Sequence, residues 1–364
     1  MGPAAGRRSL HGDRLRYLSL ADACDLSAQR QLGWLSAGDM QRELKGPAFH
    51  FPLAPYSAAE RHGHIHGNIY IIKKGMVIYM EISTSLNIYN NFVESYEEAI
   101  KRAYDCGFLC FDFNPIDYLS GDNFYTSDNW RENIANIREY AESMGAKFMQ
   151  AHAFCFNGAA PADMDYQMRK TIEAAALVGA PWTVMHPWVV HKSTDFEIQK
   201  ENVRLFEPYV EYAKELGVGI AIENMFKKVY WFGEEVNSEA FSTADELIEI
   251  IDPLNEEYGN VGACWDTGHA NLSMKSQYDD LLKLGKRLKV LHIADNYGQG
   301  DDHMPAFYGC VDWKEIMRAL KKIKYNGTFN FETQCFTKNL PNELVDDALR
   351  FMYKIGAYTV NLSD

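Results

Sequence analysis

From Val77 onward the chain repeats one unit eight times: a short β-branched or aromatic run, then a helical stretch of about 12 to 20 residues. The runs predict strands at 77–86, 108–113, 147–152, 182–186, 218–223, 261–266, 288–293 and 328–332. Helices are predicted at 95–104, 129–144, 162–178, 195–216, 243–251, 277–284, 313–323 and 341–356. A glycine after Leu216 and another after Val178 supply the left-handed residue that closes a helix, and Ser242-Thr243 opens one with acids in its first turn. Near-continuous apolar strands belong to a parallel sheet covered on both faces, so eight repeats point to a closed (β/α)8 barrel. An open doubly wound sheet is the alternative, because a repeat count does not impose closure.

A barrel of this type, the TIM barrel of the α/β class, needs about 250 residues. The 364-residue chain is therefore read as one catalytic domain, 76–364, behind an extension, 1–75. The extension has no sustained period, contains Gly46-Pro47, Pro52 and Pro55, and carries ten Lys/Arg against six Asp/Glu, whereas 76–364 carries 26 against 44. That change predicts a disordered segment, or one translated from upstream of the natural start, with Met76 as an alternative initiator. Its cluster of His62, His64 and His66 reads as part of a solvated tail rather than a metal site.

A net charge of -14 and a pI near 5.3 argue against a nucleic-acid partner, since phosphate binding relies on clustered Lys and Arg. A small molecule is the expected partner. Seven cysteines, at 24, 106, 110, 155, 264, 310 and 335, form no CxxC pair or compact framework, which indicates neither a disulfide scaffold nor a zinc ribbon and suits a cytoplasmic location. No apolar run of about 18 residues marks a membrane span, and the Arg-bearing start lacks the apolar core of a secretory signal.

In such a barrel, catalytic groups stand at the carboxyl ends of the strands. Here the third strand ends in Ala151-His152-Ala153, the fourth in Met185-His186-Pro187 and the fifth in Ile222-Glu223-Asn224. The sixth ends in Trp265-Asp266-Thr267-Gly268-His269, read as an acid, a glycine turn and a histidine. The seventh ends in Leu291-His292-Ile293-Ala294-Asp295 and the eighth in Asn330-Phe331-Glu332-Thr333. A lone histidine at a strand end is more often a hydrogen-bonded core residue than a ligand, but six consecutive ends delivering His, Asp or Glu to one rim outweigh that reading. Glu223, Asp266 and Glu332 on a water-restricted rim would repel one another unless a cation neutralised them. Two or three carboxylates with the imidazole of His292 suit one divalent ion in roughly octahedral coordination, Mn²⁺, Co²⁺ or Mg²⁺, with Zn²⁺ also admitted.

At these residues the chain resembles the xylose-isomerase-like TIM barrels, which include sugar (phosphate) isomerases and epimerases and the endonuclease-four type of abasic-site nuclease. The resemblance covers about 77–360 and rests on Ile222-Glu223-Asn224, Trp265-Asp266-Thr267-Gly268-His269, Leu291-His292-Ile293, Gly300-Asp301-Asp302-His303 with Gly309 and Asp312-Trp313, and Phe331-Glu332. It implies Glu223, Asp266, His292 and Glu332 as the metal ligands of the epimerase branch and His269 as a substrate-binding histidine. His186, His152, Asp301, His303 and Trp188 complete the expected substrate-binding set.

The chemistry of this set is coherent. A 2-ketose chelated through its carbonyl and neighbouring hydroxyl has an acidified α C–H, because the cation stabilises the enediolate. Glu223 and Glu332, on opposite flanks of the chelate, would take a proton from one face and return one elsewhere. Return to the adjacent carbon is isomerisation, return to the opposite face is epimerisation, and expulsion of a β-hydroxyl would make a sugar-acid or inosose-type dehydratase. The nuclease branch competes, because His152, His186, Glu223, Asp266, His269, His292, Asp301, His303 and Glu332 match the residue types of a trinuclear zinc site. The acidic balance of 76–364 and the lack of a basic stripe weigh against it.

Asp301-Asp302-His303 reads equally as a layer behind the ligands, a phosphate-binding element or a solvated turn. Tyr89, Phe154, Phe156, Trp188, Phe226, Tyr230 and Trp231 follow strand ends, where rings stack on a sugar's apolar face, half of them being expected as ordinary loop packing. Asp112 ends the second strand where the family often has Glu, and Lys192, Lys227 and Lys228 are the cations a phosphate would meet. The expectation is a metal-dependent isomerase/epimerase acting on a sugar or sugar phosphate, with a homo-oligomer admitted and no interface residue marked.

Overall fold

The computed structural model describes residues 80–155, 162–188, 195–226, 229–231, 234–236, 241–273 and 276–362. The extension 1–75, Met76 and the His62/His64/His66 cluster lie outside them. The elements run β1 (Ile82–Ser85), α1 (Tyr96–Asp105), β2 (Cys110–Phe113), α2 (Trp130–Ser143), β3 (Lys147–His152), α3 (Met164–Val178), β4 (Trp182–Met185), α4 (Asp195–Glu215) and β5 (Gly219–Glu223). They continue α5 (Ala244–Tyr258), β6 (Val261–Asp266), α6 (Thr267–Leu272), α7 (Gln277–Leu284), β7 (Leu288–His292), α8 (Trp313–Ile323), β8 (Phe329–Phe331) and α9 (Asn342–Thr359).

All eight strands are parallel and pair in the order β8-β1-β2-β3-β4-β5-β6-β7. The remaining seam is bridged where Ile293 N–H donates to the Asn330 carbonyl at 2.8 Å and Glu332 N–H donates to the Ile293 carbonyl at 3.1 Å. The sheet therefore closes as a barrel, and the open-sheet alternative falls.

The pleat sets what faces inward. Val184, Ala221, Cys264 and Val290 form an apolar cluster apart from the main core, with Trp182 beneath them. Gly219 is required there, because a Cβ on it would stand 2.3 Å from the Trp182 ring. Two residues further along the same strands, on the same side of the pleat, come His186, Glu223, Asp266 and His292. Alternation thus carries one apolar layer directly up into a layer of histidine and carboxylate side chains. The outward residues, Phe111, Phe148, Ile222 and Trp265 among them, join the large core under the helices.

The structure departs from the sequence reading in three places. Helix α5 does not stop at Ile251 but passes through Pro253 to a left-handed Gly259 (φ 79°). Leu254 continues the buried face of Leu247, Ile250 and Ile251, and that burial offsets the hydrogen bond lost at proline. Thr267-Gly268-His269 is not a glycine turn but the first turn of helix α6, capped by Asp266. A two-stranded antiparallel pair, Val229–Trp231 with Glu234–Val236, lies between β5 and α5, where the sequence reading placed no element.

The β7–α8 connection, which carries Asp301 and His303, is organised by one buried acid. Asp295 Oδ1 accepts from Asn296 N–H (2.9 Å) and Val311 N–H (3.1 Å), while Oδ2 accepts from Phe307 N–H (2.9 Å) and Trp313 Nε1–H (3.0 Å). Gly309 packs so closely that a Cβ would lie 2.4 Å from Asp295 Oδ1. Asp295→Ala should therefore lower unfolding stability by at least about 3 kcal/mol in denaturant titration, since several buried donors lose their acceptor together. An unchanged midpoint would refute this role.

Candidate active site at the barrel mouth

Glu223 ends β5 inside the mouth and is 1% exposed. Its Oε1 lies 2.9 Å from His292 Nδ1; its Oε2 lies 3.0 Å from His186 Nε2 and 3.6 Å from His152 Nε2. Glu332, just past β8, places Oε2 3.0 Å from the same His292 Nδ1. One donor atom from each of Glu223, Asp266, His292 and Glu332 falls within 4.8 Å of all the others. The four expected ligands are thus assembled by β5, β6, β7 and the end of β8.

Local bonds explain how each is held. Asp266 caps α6, its Oδ1 accepting from His269 N–H at 2.6 Å, which leaves Oδ2 buried without a hydrogen-bond partner. Asn224 braces the same strand end, accepting from Asp266 N–H (2.6 Å) and donating to the Asp266 carbonyl (3.0 Å). Thr267 Oγ1 donates to the Ala294 carbonyl (2.7 Å) and accepts from Ala294 N–H (3.0 Å), tying β6 to the end of β7. Neither Asn224 nor Thr267 was singled out from the sequence, although both flank ligands in the quoted stretches.

A second layer of donors surrounds this core. His269 Nε2 and His303 Nε2 lie 3.4 and 2.8 Å from Asp301 Oδ2. The Nδ1 atoms of His152, His269 and His303 stand 2.9, 2.8 and 3.2 Å from the carbonyls of Ala153, Asn224 and Glu332. A carbonyl requires N–H at Nδ1, so these backbone bonds turn all three Nε2 atoms toward the carboxylates. His152, His186, His269, Asp301 and His303 are therefore brought together with Glu223, Asp266, His292 and Glu332, and the solvated-turn reading of Asp301-Asp302-His303 fails.

Burial alone would raise the Glu223 carboxyl, but the charge of His292 and the neighbouring rings of His152, His186 and His292 hold it well below its usual range. Glu332 is held at about 2 against the same burial, chiefly by His292. Asp266 is pushed up to about 7 by burial, with His269 opposing and the acids Glu223, Glu332 and Asp301 adding to the rise. His303 rises to about 10 despite burial, because of Asp301. Glu223 Oε2, Asp266 Oδ2 and Asp301 Oδ1 are buried without a hydrogen bond, and this concentration of orphaned carboxylate oxygen beside imidazole nitrogen fits a divalent ion.

Other expected residues lie elsewhere. Trp188 is half-buried and packs on Phe206 (centroids 4.6 Å) and Tyr209 (5.8 Å) of α4, so it does not join the donor cluster. Tyr89 is buried with its hydroxyl donating to Asp346 (3.0 Å), and Phe154 belongs to the main core, which removes both from the sugar-stacking set. Phe226 does reach the mouth, its ring 4.8 Å from that of His269. Asp112 is fully buried within the barrel, where burial pushes it up to about 6. Phe156, Lys192, Lys227, Lys228 and the side chains of Tyr230 and Trp231 lie outside the described part.

The model of the xylose isomerase-like TIM barrel family matches residues 91–355. The chain belongs to that family. Among curated proteins it is 31% identical over 175 residues to the uncharacterised protein y4fM of Sinorhizobium fredii, covering 46% of this chain and 51% of that one. It is 29% identical over 86 residues to a D-psicose 3-epimerase of Enterocloster bolteae, covering 24% of this chain and 26% of that one. The chain thus matches about half, or less, of the length of these two relatives. Among solved structures, a D-psicose 3-epimerase with D-tagatose from Clostridium cellulolyticum aligns with TM-score 0.58 and 14% identity over 78% of this chain and all of that one. An IolI protein with a bound zinc atom aligns with TM-score 0.61 and 18% identity over 77% and 98%. At those identities the structures establish the shared fold.

Coordination requires Asp266 as the carboxylate, whereas its raised pKa keeps it protonated up to about pH 7 when no cation faces it. Proton and cation therefore compete, and divalent-metal affinity should rise with pH through neutrality. Titration calorimetry in two buffers of different ionisation enthalpy reads the released proton; affinity that falls over this range would contradict the assignment.

Proposed function

We propose that the protein is a divalent-metal-dependent isomerase or epimerase of a small sugar or sugar phosphate. Glu223, Asp266, His292 and Glu332 hold one ion, Mn²⁺, Co²⁺, Mg²⁺ or Zn²⁺, and Glu223 and Glu332 exchange protons with the carbon beside the substrate carbonyl. The observation that carries this reading is the pair of carboxylates at 2.9 and 3.0 Å from one imidazole nitrogen, reached from strands β5 and β8. Family membership and the sugar 3-epimerases among its structural neighbours support it.

When bound, the ion supplies the positive charge that acidifies the α C–H of a ketose and stabilises an enediolate. The chain's own groups do the rest. Glu223 and Glu332 are both held in the ionised form by His292, so either can accept a proton, and their approach from different strands presents them to different faces of a substrate. His269, His186, Asp301 and His303 offer donors and acceptors for sugar hydroxyls, and the Phe226 ring provides an apolar wall beside His269. Burial of Glu223, Asp266, His292 and Glu332 excludes water that would otherwise protonate the carbanionic carbon indiscriminately.

A second reading rests on a specific observation: all nine residues of the trinuclear pattern come together, with three histidines turned by backbone carbonyls to present Nε2. That arrangement also suits a multinuclear zinc centre that hydrolyses a phosphodiester at an abasic site.

Proton exchange separates the two. Incubated with a ketose in D₂O, the metal-loaded protein should place deuterium on the carbon next to the carbonyl. Glu332→Gln should slow this by about 10²- to 10⁴-fold. Full turnover in that variant removes Glu332 from acid/base work, and cleavage of abasic-site DNA without any exchange favours the second reading.

A further inference from the structure

We propose that the barrel interior beneath the mouth is a binding site for a small cluster of ordered water, anchored by the Asp112 carboxylate and enclosed by β8, β1, β2 and β3. The site uses none of the residues assigned to the ion and does not depend on the proposed reaction.

The interior has two unlike halves. On β4 to β7 the layer beneath the mouth is Val184, Ala221, Cys264 and Val290, the apolar filling usual in such barrels. On the other four strands the outward side chains are Ile82, Phe111, Phe113, Phe148, Phe329 and Phe331, which belong to the core under the helices. Alternation therefore turns Ser83 and Ser85 of β1, Asp112 of β2, Gln150 of β3 and Asn330 of β8 inward. The ladder joins them into one arc: Ser83 is level with Asn330, Ser85 with Asp112, and Asp112 with Gln150. Gln150 and Asn330 lie two residues before His152 and Glu332 on the same sides of their strands, so the arc is the floor under that part of the site.

All five residues are buried, none more than 1% exposed. Among the described residues, no hydrogen bond reaches Ser83 Oγ, Ser85 Oγ, either oxygen of Asp112, Gln150 Nε2, or the side-chain oxygen and nitrogen of Asn330. Burial pushes the Asp112 carboxyl up, with His292, His152 and the Gln150 amide opposing the rise. The amide thus stands near the carboxylate without bonding to it directly. So many orphaned polar atoms would together cost as much as the whole stability of a typical domain.

The set mixes donors with acceptors. The amide groups of Gln150 and Asn330 need acceptors, the Asp112 oxygens need donors, and the serine hydroxyls serve as either. A cation would satisfy the oxygens and leave both amide nitrogens orphaned, while an anion would be repelled by Asp112. Water meets both demands, since a buried molecule makes about three hydrogen bonds and can donate and accept at once. Room for it comes from β1, where two serines stand in place of the bulky branched residues that fill such an interior.

A crystal structure of the full chain, at a resolution that shows internal solvent, tests this. At least one water should bridge an Asp112 oxygen to Ser83, Ser85, Gln150 or Asn330. Direct bonds from these side chains to Asp112 with no water between them would overturn the proposal. An anomalous peak beside Asp112 after exchange into a rubidium salt would also overturn it, by marking an alkali cation instead. In solution, oxygen-17 magnetic relaxation dispersion counts waters held for longer than the protein takes to tumble. Asp112→Leu, with an unchanged circular-dichroism spectrum, should lose the amplitude of one or more such waters. Amplitude equal to wild type in that variant would contradict the assignment, and the wild-type crystal decides alone if the variant does not fold.

Discussion

Two oxygens of one buried carboxylate face different histidines. Glu223 Oε1 meets His292 Nδ1 at 2.9 Å, and Oε2 lies between His186 and His152 at 3.0 and 3.6 Å. An ionised carboxylate at 1% exposure is tolerable only where positive charge or a metal surrounds it. Asp266, Glu332 and Asp301 stand around the same point, so the mouth of the barrel concentrates more negative charge than imidazoles alone comfortably balance. Burial first, and the neighbouring acids after it, push Asp266 up, and a divalent ion is the simplest physical remedy for carboxylates so placed.

The barrel makes this concentration possible. Closure through the Ile293–Phe331 bridge brings β8 against β7, which sets Glu332 beside His292. An open sheet of the same strands would leave that seam unpaired and those two side chains apart. Below the ligands, Val184, Ala221, Cys264 and Val290 fill part of the interior, so the polar groups above rest on a packed apolar layer. Asn224, Thr267 and the α6 cap then fix the strand ends laterally, while Asp295 anchors the long connection that delivers Asp301 and His303. Each brace is a short-range hydrogen bond in a buried setting, where misplacement by an ångström would separate the donors.

Much of this was legible in the chain because it follows from period and position. Parallel strands are continuous apolar runs, and an acid or histidine breaking such a run at its carboxyl end is conspicuous; Glu223, Asp266, His292 and Glu332 were all visible in that way. Residues whose role depends on contacts across the fold were not. Asn224 looks like a loop residue until β6 is placed beside it. Trp188 and Tyr89 show the same limit: an aromatic after a strand can turn toward the mouth or back under the helices, and sequence alone does not fix the turn. Gly268 reads as a turn by composition, yet the Asp266 cap makes it helical.

The proposed function puts proton transfer on a metal-chelated sugar at the barrel mouth, with Glu223 as its pivot. Metal analysis of the purified protein and of Glu223→Gln, after dialysis against a weak chelator, tests that most directly. The account predicts stoichiometric divalent metal in the wild-type protein and its loss from Glu223→Gln, whose amide can no longer neutralise an ion on either side. A wild-type protein that retains no divalent metal, or a variant that retains all of it, would contradict the account.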